Sequence, residues 1–266
     1  MSNLPTVLIT GASSGIGATY ARRFASRGHA LVLVARNRER LDVLAAQLCE
    51  ESGVNVDVIQ ADLTRAEDLA QVERRLTEDA SIGVLINNAG VGQSGGFLQQ
   101  RVTALDSLLA LNVTAVTRLA AAIAPRLTQA GAGSIVNVGS VVGLAPEMQM
   151  TVYGATKAFV LFLSQGLQAE LGPKGVYVQA VLPATTRTEI WQHSGIDIAT
   201  LPEIMEVDDL VNAALVGYDR RELVTIPPLH VAERWEALEG TRRLLLSDLR
   251  QASPAERYLT SAPVGQ

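Results

Sequence analysis

The sequence predicts an α/β fold, a doubly wound parallel sheet of about seven strands with helices on both faces. Three observations carry this. Short β-branched runs alternate with longer helical patterns over the first 226 residues. The runs are apolar throughout rather than alternating, the mark of a parallel sheet covered on both faces. The chain has 266 residues, 48% hydrophobic and 18% charged, which suits one large buried core.

The predicted strands are Thr6–Thr10, Ala30–Ala35, Asn55–Gln60, Gly83–Asn87, Ser134–Val138, Tyr177–Leu182 and Leu223–Ile226. The predicted helices are Ile16–Arg27, Arg38–Ser52, Ala66–Ala80, Val102–Gln129, Val152–Leu171 and Val207–Gly217. In such sheets ligands bind beyond the carboxyl ends of the strands, so residues just after each strand are the candidates.

The first strand leads into Thr10-Gly11-Ala12-Ser13-Ser14-Gly15-Ile16-Gly17. Glycines there permit a tight turn, and the helix that follows offers free N–H groups to a pyrophosphate. After the second strand comes Arg36-Asn37-Arg38, with no acid for a ribose 2′-hydroxyl. An Arg at this place suits a 2′-phosphate, which predicts NADP as cofactor. Asn37 reads as a helix N-cap, and Arg38 and Arg40 as solvated. Asp62 either hydrogen-bonds an adenine amine or caps the next helix. Asn87-Asn88-Ala89-Gly90 either stitches strand ends beside a ribose or is a simple turn.

The helix from Val102 is apolar nearly all round, interrupted by Asn112. A buried amide needs partners, so Asn112 is structural or part of a proton relay. Pro125 is expected to kink or shorten this helix. The fifth strand delivers Ser140, whose hydroxyl can meet a substrate oxygen. Pro183-Ala184-Thr185-Thr186-Arg187-Thr188 follows the sixth strand, either holding a carboxamide or phosphate or capping a helix.

Tyr153 and Lys157 are four residues apart in a helical pattern, so they share one face. A phenol of pKa ~10 is a poor base near neutrality, and a nearby positive charge lowers that value. A phenol tuned this way can take a proton from an alcohol or give one to a carbonyl oxygen.

The net charge of −5 and pI of 5.3 argue against nucleic acid as a partner. The single cysteine, Cys49, cannot form an internal disulfide, which suits a reducing compartment, and a cytoplasmic place is expected. The first residues lack a signal-peptide pattern, no run approaches the length of a membrane span, and no metal site is expected.

Taken in order, Thr10-Gly-x3-Gly-x-Gly17, Asn87-Asn-Ala-Gly90, Asn112, Ser140, Tyr153-x3-Lys157 and Pro183-x-x-Thr186 resemble the short-chain dehydrogenase/reductase family over about residues 4–226. That resemblance implies a Rossmann-like fold and a catalytic set of Asn112, Ser140, Tyr153 and Lys157. It implies hydride transfer between NAD(P) and a carbonyl/alcohol pair, NAD being the less favoured. The implied cofactor contacts are Gly11, Ser13, Ser14, Gly15, Ile16, Gly17, Arg36, Asp62, Leu63, Asn88, Ala89, Gly90, Tyr153, Lys157, Pro183, Thr186 and Thr188. It implies a homodimer or homotetramer on the helices containing Asn112 and Tyr153, where Phe159, Phe162 and Leu163 give surplus apolar surface. The chain departs from the family in Pro183-Ala184, where Pro-Gly is common. It also has Ser13-Ser14 where NADP-preferring members often carry a basic residue, so the phosphate expectation rests on Arg36.

In this reading Tyr153 exchanges the proton, Ser140 orients the substrate oxygen, Lys157 binds the ribose and Asn112 holds a relay water. A lid over about 188–207, with Trp191, His193, Ile196, Ile198, Leu201, Ile204 and Met205, closes an apolar pocket. Val141, Val142, Leu144, Met148 and Met150 line the opposite wall. Residues 227–266 form a helical extension on the same domain, over a subunit contact or the pocket mouth. Two rival readings are a reductase of acyl chains on an acidic carrier protein, docking at Arg220-Arg221, and a dinucleotide sensor without turnover.

Overall fold

Seven parallel strands form one sheet: β1 (Thr6–Thr10), β2 (Leu31–Ala35), β3 (Val56–Gln60), β4 (Ile82–Asn87), β5 (Ser134–Val138), β6 (Tyr177–Val181) and β7 (Val224–Thr225). Their order is β3-β2-β1-β4-β5-β6-β7. All seven predicted strands are present, with ends moved by a residue or two. The computed structural model describes residues 4–92, 96–189, 200–201 and 203–259.

The helices are α1 (Gly15–Ser26), α2 (Arg38–Ser52), α3 (Ala66–Glu78), α4 (Val102–Leu109), α5 (Val116–Ala130), α6 (Thr151–Leu171), α7 (Val207–Asp219) and α8 (Glu233–Asp248). Alternate strand residues point to opposite faces, and each set finds its own helices. Val7, Ile9, Leu31 and Leu33 pack with Phe24 of α1, Leu41 and Leu48 of α2 and Val211 of α7. Leu8, Val32, Val34 and Leu85 pack with Val72 of α3 and Leu119 and Ile123 of α5. This is why the strands read as unbroken apolar runs.

The predicted helix Val102–Gln129 is not uniform. Its turn Ala110–Ala115 is a π-helix between α4 and α5, a wider turn often found at functional sites. Pro125 neither stops nor shortens α5, which runs on to Ala130. The stretch Val102–Ala130 is long and apolar enough to cross a membrane, contrary to the expectation that no run is. Its apolar content serves the core instead on one side, where Leu108, Val116, Leu119, Ile123 and Leu127 are buried.

The chain divides into a unit ending at Pro228 and a second from Leu229. In the second, the sequence allowed one or two helices, and among the described residues the structure has the long helix α8 and a 3₁₀ turn at Glu256–Tyr258. Leu238, Leu244, Leu245, Leu246 and Leu249 of this region are exposed.

Strand order reverses between β1 and β4, the place where doubly wound sheets open a crevice at their carboxyl ends. The predicted site segments at Gly11–Gly17, Arg36, Asp62, Asn88–Gly90, Ser140 and Pro183–Thr188 follow the carboxyl ends of β1 to β6, while Asn112, Tyr153 and Lys157 lie in helical segments.

Candidate active site

The turn after β1 is built by backbone that glycine tolerates. Gly11 and Gly15 adopt φ of +65° and +52°, and a Cβ on Gly11 would fall 2.8 Å from Asn88 Nδ2. Asn88 is spent on this turn: its Nδ2 donates to Thr10 O at 2.8 Å and Gly11 O at 3.2 Å. Thr10 Oγ1 in turn accepts from the N–H groups of Asn88 and Ala89, each at 3.0 Å. The stitching alternative therefore describes Asn88. Helix α1 has no acid in its first turn, and its N-cap Ser14 makes no side-chain cap. Its leading N–H groups and positive dipole are left for an anion. Ser13 and Ser14 are half-buried beside them, Gly17 is buried, and Ile16 packs against the core.

Asn37 caps α2 as expected, accepting from Arg40 N–H at 3.0 Å. Arg38 and Arg40 are not simply solvated. Arg38 pairs with Asp42 at 2.8 Å and Arg40 with Glu189 at 2.7 Å. Arg36 is exposed and makes no ion pair among the described residues. Asp62 does not cap α3, whose N-cap is Arg65. Its Oδ1 accepts from Thr64 N–H at 3.0 Å and Thr64 Oγ1 at 2.7 Å, a local turn. Burial pushes the Asp62 carboxyl up, but the Thr64 bonds and the charges of Arg36 and Arg65 hold it below its ordinary value. Leu63 is buried in the core.

Asn112 lies in the π turn and is buried. Its Oδ1 accepts from Val91 N–H at 3.0 Å, and its Nδ2 donates to Val91 O at 3.0 Å and Thr156 Oγ1 at 3.2 Å. The amide thus clamps the loop after β4 onto α6. These bonds satisfy the buried amide, as the structural alternative expects. Thr156, which sequence reasoning missed, also donates to Tyr153 O at 2.7 Å. Its place between Tyr153 and Lys157 was the available signal. Asn87 also stitches strand ends, its Nδ2 donating to Asn137 Oδ1 at 2.9 Å; Asn137 and Ser164, joined at 2.9 Å, were not singled out in the sequence.

Ser140 is buried at the end of β5, accepting from Val142 N–H at 3.2 Å and donating to Pro183 O at 3.3 Å. Its hydroxyl also hydrogen-bonds Tyr153, which is half-buried near the start of α6. Lys157 is buried one turn on, its Nζ donating to Val138 O at 3.0 Å and lying 5.7 Å from the centre of the Tyr153 ring. A Cβ on Gly90 would come 3.5 Å from that Nζ, so the loop after β4 closes onto it.

The electrostatics differ from the sequence expectation. Burial raises the Tyr153 phenol above its ordinary value, and the Ser140 bond only partly offsets this. Lys157 is itself pushed down to about 8 by burial. Stripping water from the phenolate is thus the larger effect on Tyr153.

Thr186 and Thr188 cap no described helix. Thr186 forms a parallel bridge to Met205, and Thr188 Cγ2 lies 3.3 Å from where a Cβ on Gly15 would sit. The predicted lid residues Trp191, His193, Ile196 and Ile198 lie outside the described residues. On the opposite wall, Leu144 and Met148 are exposed, while Val141, Val142 and Met150 are half-buried.

Residues 5–198 match the family described as short chain dehydrogenase. A short-chain dehydrogenase from Sphingobium yanoikuyae, solved in complex with NADPH, is 71% identical with a TM-score of 0.95, covering 96% of this chain and all (100%) of that one. A bulky-bulky ketone specific alcohol dehydrogenase from Comamonas testosteroni is 67% identical with a TM-score of 0.91, covering 97% of this chain and 100% of that one. A very-long-chain 3-oxoacyl-CoA reductase from Anas platyrhynchos is 36% identical over 187 residues, 69% of this chain and 60% of the relative. The chain thus matches only about 60% of the length of that curated relative.

Proposed function

This chain belongs to the short-chain dehydrogenase/reductase family and is an oxidoreductase of it, and we propose that it uses NADPH to reduce ketones flanked by two bulky groups. The observation that carries carbonyl reduction is the hydrogen-bonded Ser140–Tyr153 hydroxyl pair with buried Lys157 beside it, and the ketone class is taken from the 67% identical bulky-bulky ketone specific relative. The residues present fit a dinucleotide. The uncapped N-terminus of α1 suits a diphosphate, exposed Arg36, which forms no ion pair among the described residues, a 2′-phosphate, and the Lys157 ammonium a ribose hydroxyl. Asp62 Oδ2, which takes no hydrogen bond among the described residues, suits an adenine amine. The solved relative with NADPH supports the choice of cofactor.

NADPH, when bound, supplies the hydride. The protein does the rest. Tyr153 gives its phenolic proton to the carbonyl oxygen, and its raised pKa keeps that proton in place near neutrality. Ser140, held in place by the bond it accepts from Val142 N–H, orients the same oxygen by turning its O–H from Pro183 O to it. Lys157 would hold the ribose of the bound dinucleotide, and its ammonium, 5.7 Å from the Tyr153 ring, offsets charge that develops on the phenol. Asn112 keeps the loop after β4 and helix α6 in register, so that Gly90 and Lys157 stay together.

A screen of NADPH oxidation across ketones tests this. The expected result is turnover of ketones with two large substituents, well above methyl ketones. Absence of turnover on every carbonyl tried contradicts it. The curated relatives favour one second reading, reduction of 3-oxoacyl thioesters, and the same screen with 3-oxoacyl-CoA substrates decides between them. A sensor without turnover has no use for Ser140, Tyr153 and Lys157 together.

Arg36→Asp is expected to lower kcat/KM with NADPH by about 10- to 100-fold, the range for losing a charge-assisted hydrogen bond. NADH should lose little. A wild-type preference for NADH contradicts the assignment. We also place the protein in the cytoplasm as a homodimer or homotetramer. Phe162 and Phe159 of α6 with Val102 and Leu109 of α4 offer exposed apolar surface for the contact. Light scattering showing a monomer at micromolar concentration, or fractionation with membranes, overturns these placements.

A further inference from the structure

We infer that Glu189 is a latch: its ion pair with Arg40 holds the segment Thr186–Glu189 across the diphosphate end of the cofactor site and slows release of the dinucleotide. This rests on the dinucleotide reading above.

The segment is pinned at one end by backbone. Met205 N–H donates to Thr185 O at 2.9 Å, and Arg187 N–H donates to Met205 O at 3.0 Å. From there the chain passes Gly15, with Thr188 Cγ2 within 3.3 Å of a Cβ built on that glycine. It therefore crosses the N-terminus of α1, whose uncapped N–H groups suit a diphosphate. The far end is held by Glu189 Oε2, 2.7 Å from Arg40 Nη1. The two residues are 149 apart in the chain.

Arg40 is a firm anchor. Its N–H is fixed by the Asn37 cap at the first turn of α2. It also lines, with Ser13, Arg22 and Asn37, a crevice of about 430 Å³ between α1 and α2. The pair thus bridges from the strand-end segment after β6 to the helix after β2, on either side of the crevice where strand order reverses. A dinucleotide lying along that crevice passes beneath the bridge and leaves only when it opens. Because the latch covers the diphosphate, it acts on NADPH and NADH alike. Both partners are partly exposed, at 51% for Arg40 and 39% for Glu189, so the effect is modest.

The test is stopped-flow release of NADPH and NADH, followed by dinucleotide fluorescence. Glu189→Gln is expected to release both about 2- to 5-fold faster, the range for one exposed ion pair. The difference should vanish near 1 M salt, where charges are screened within ~3 Å. The NADPH/NADH affinity ratio should not move. The swap Arg40→Glu with Glu189→Arg, measured with NADH to leave the 2′-phosphate aside, should restore the slow rate that each single change loses. Unchanged release from Glu189→Gln overturns the latch. So does an effect on NADPH alone, or a swapped protein of wild-type melting temperature that still releases fast. A wild-type protein that binds neither dinucleotide sinks the parent reading, whereas normal wild-type binding with no effect at Glu189 sinks only the latch.

Discussion

Tyr153→Phe is expected to lower kcat by about 10²- to 10⁴-fold, the contribution of a well-placed general acid. Phe keeps the ring and its packing and removes only the hydroxyl. The loss should therefore fall on the chemical step, with NADPH affinity within a few-fold of wild type. Ser140→Ala should cost less, because Ser140 orients the oxygen and does not supply its proton. The two losses should not add in the double variant, since the hydroxyls act as one hydrogen-bonded pair. The measurement is steady-state kinetics beside a fluorescence titration of NADPH. A Tyr153→Phe enzyme that turns over at more than a tenth of the wild-type rate contradicts the assignment of the proton donor.

Lys157→Met is expected to abolish most activity and yet make the dinucleotide-free protein more stable at pH 7. Burial pushes Lys157 from 10.5 down to about 8. Below pH 8 the folded protein thus holds in its interior a charge that the unfolded chain holds in water. Each pKa unit corresponds to about 1.4 kcal/mol, so this costs about 3 kcal/mol of stability. The cost shrinks as pH rises from about 8 to 10.5, where the unfolded chain sheds the proton that the folded one has already lost. Met removes the charge at similar length but leaves Val138 O without its donor, a loss of about 1 kcal/mol. The net expected gain at pH 7 is therefore about 1–2 kcal/mol, shrinking as pH approaches 10.5. Urea unfolding of both proteins at several pH values measures it. A variant that is less stable at pH 7, or a difference that does not change with pH, contradicts the buried-charge account. The residue that function needs is then one that the fold tolerates at a cost.

The strands were legible because both faces of the sheet are covered, so each appears as a bare apolar run such as Leu31–Ala35. The start of α2 was legible because Asn37 caps it through a purely local bond. Tyr153, Lys157 and Ser140 were recognisable through spacing and order along the chain. What escaped depends on distant partners or on dehydration. The π turn around Asn112 is a choice of hydrogen-bond register, and composition does not record it. Asp62 prefers Thr64 to a helix cap, a contest between neighbours that differ by small energies. Arg40 meets Glu189 only after folding brings the carboxyl ends of β2 and β6 to the same end of the sheet. The direction of the Tyr153 shift reversed for a similar reason: spacing reveals a nearby Lys, while burial, known only from the fold, has the larger effect.

A crystal structure with NADP+ bound tests the central claim most directly. The account predicts the nicotinamide ring facing the Ser140 and Tyr153 hydroxyls, with its ribose within hydrogen-bonding reach of Lys157 Nζ. A dinucleotide bound with its reactive ring away from that pair, or with the ribose out of reach of Lys157, would contradict it.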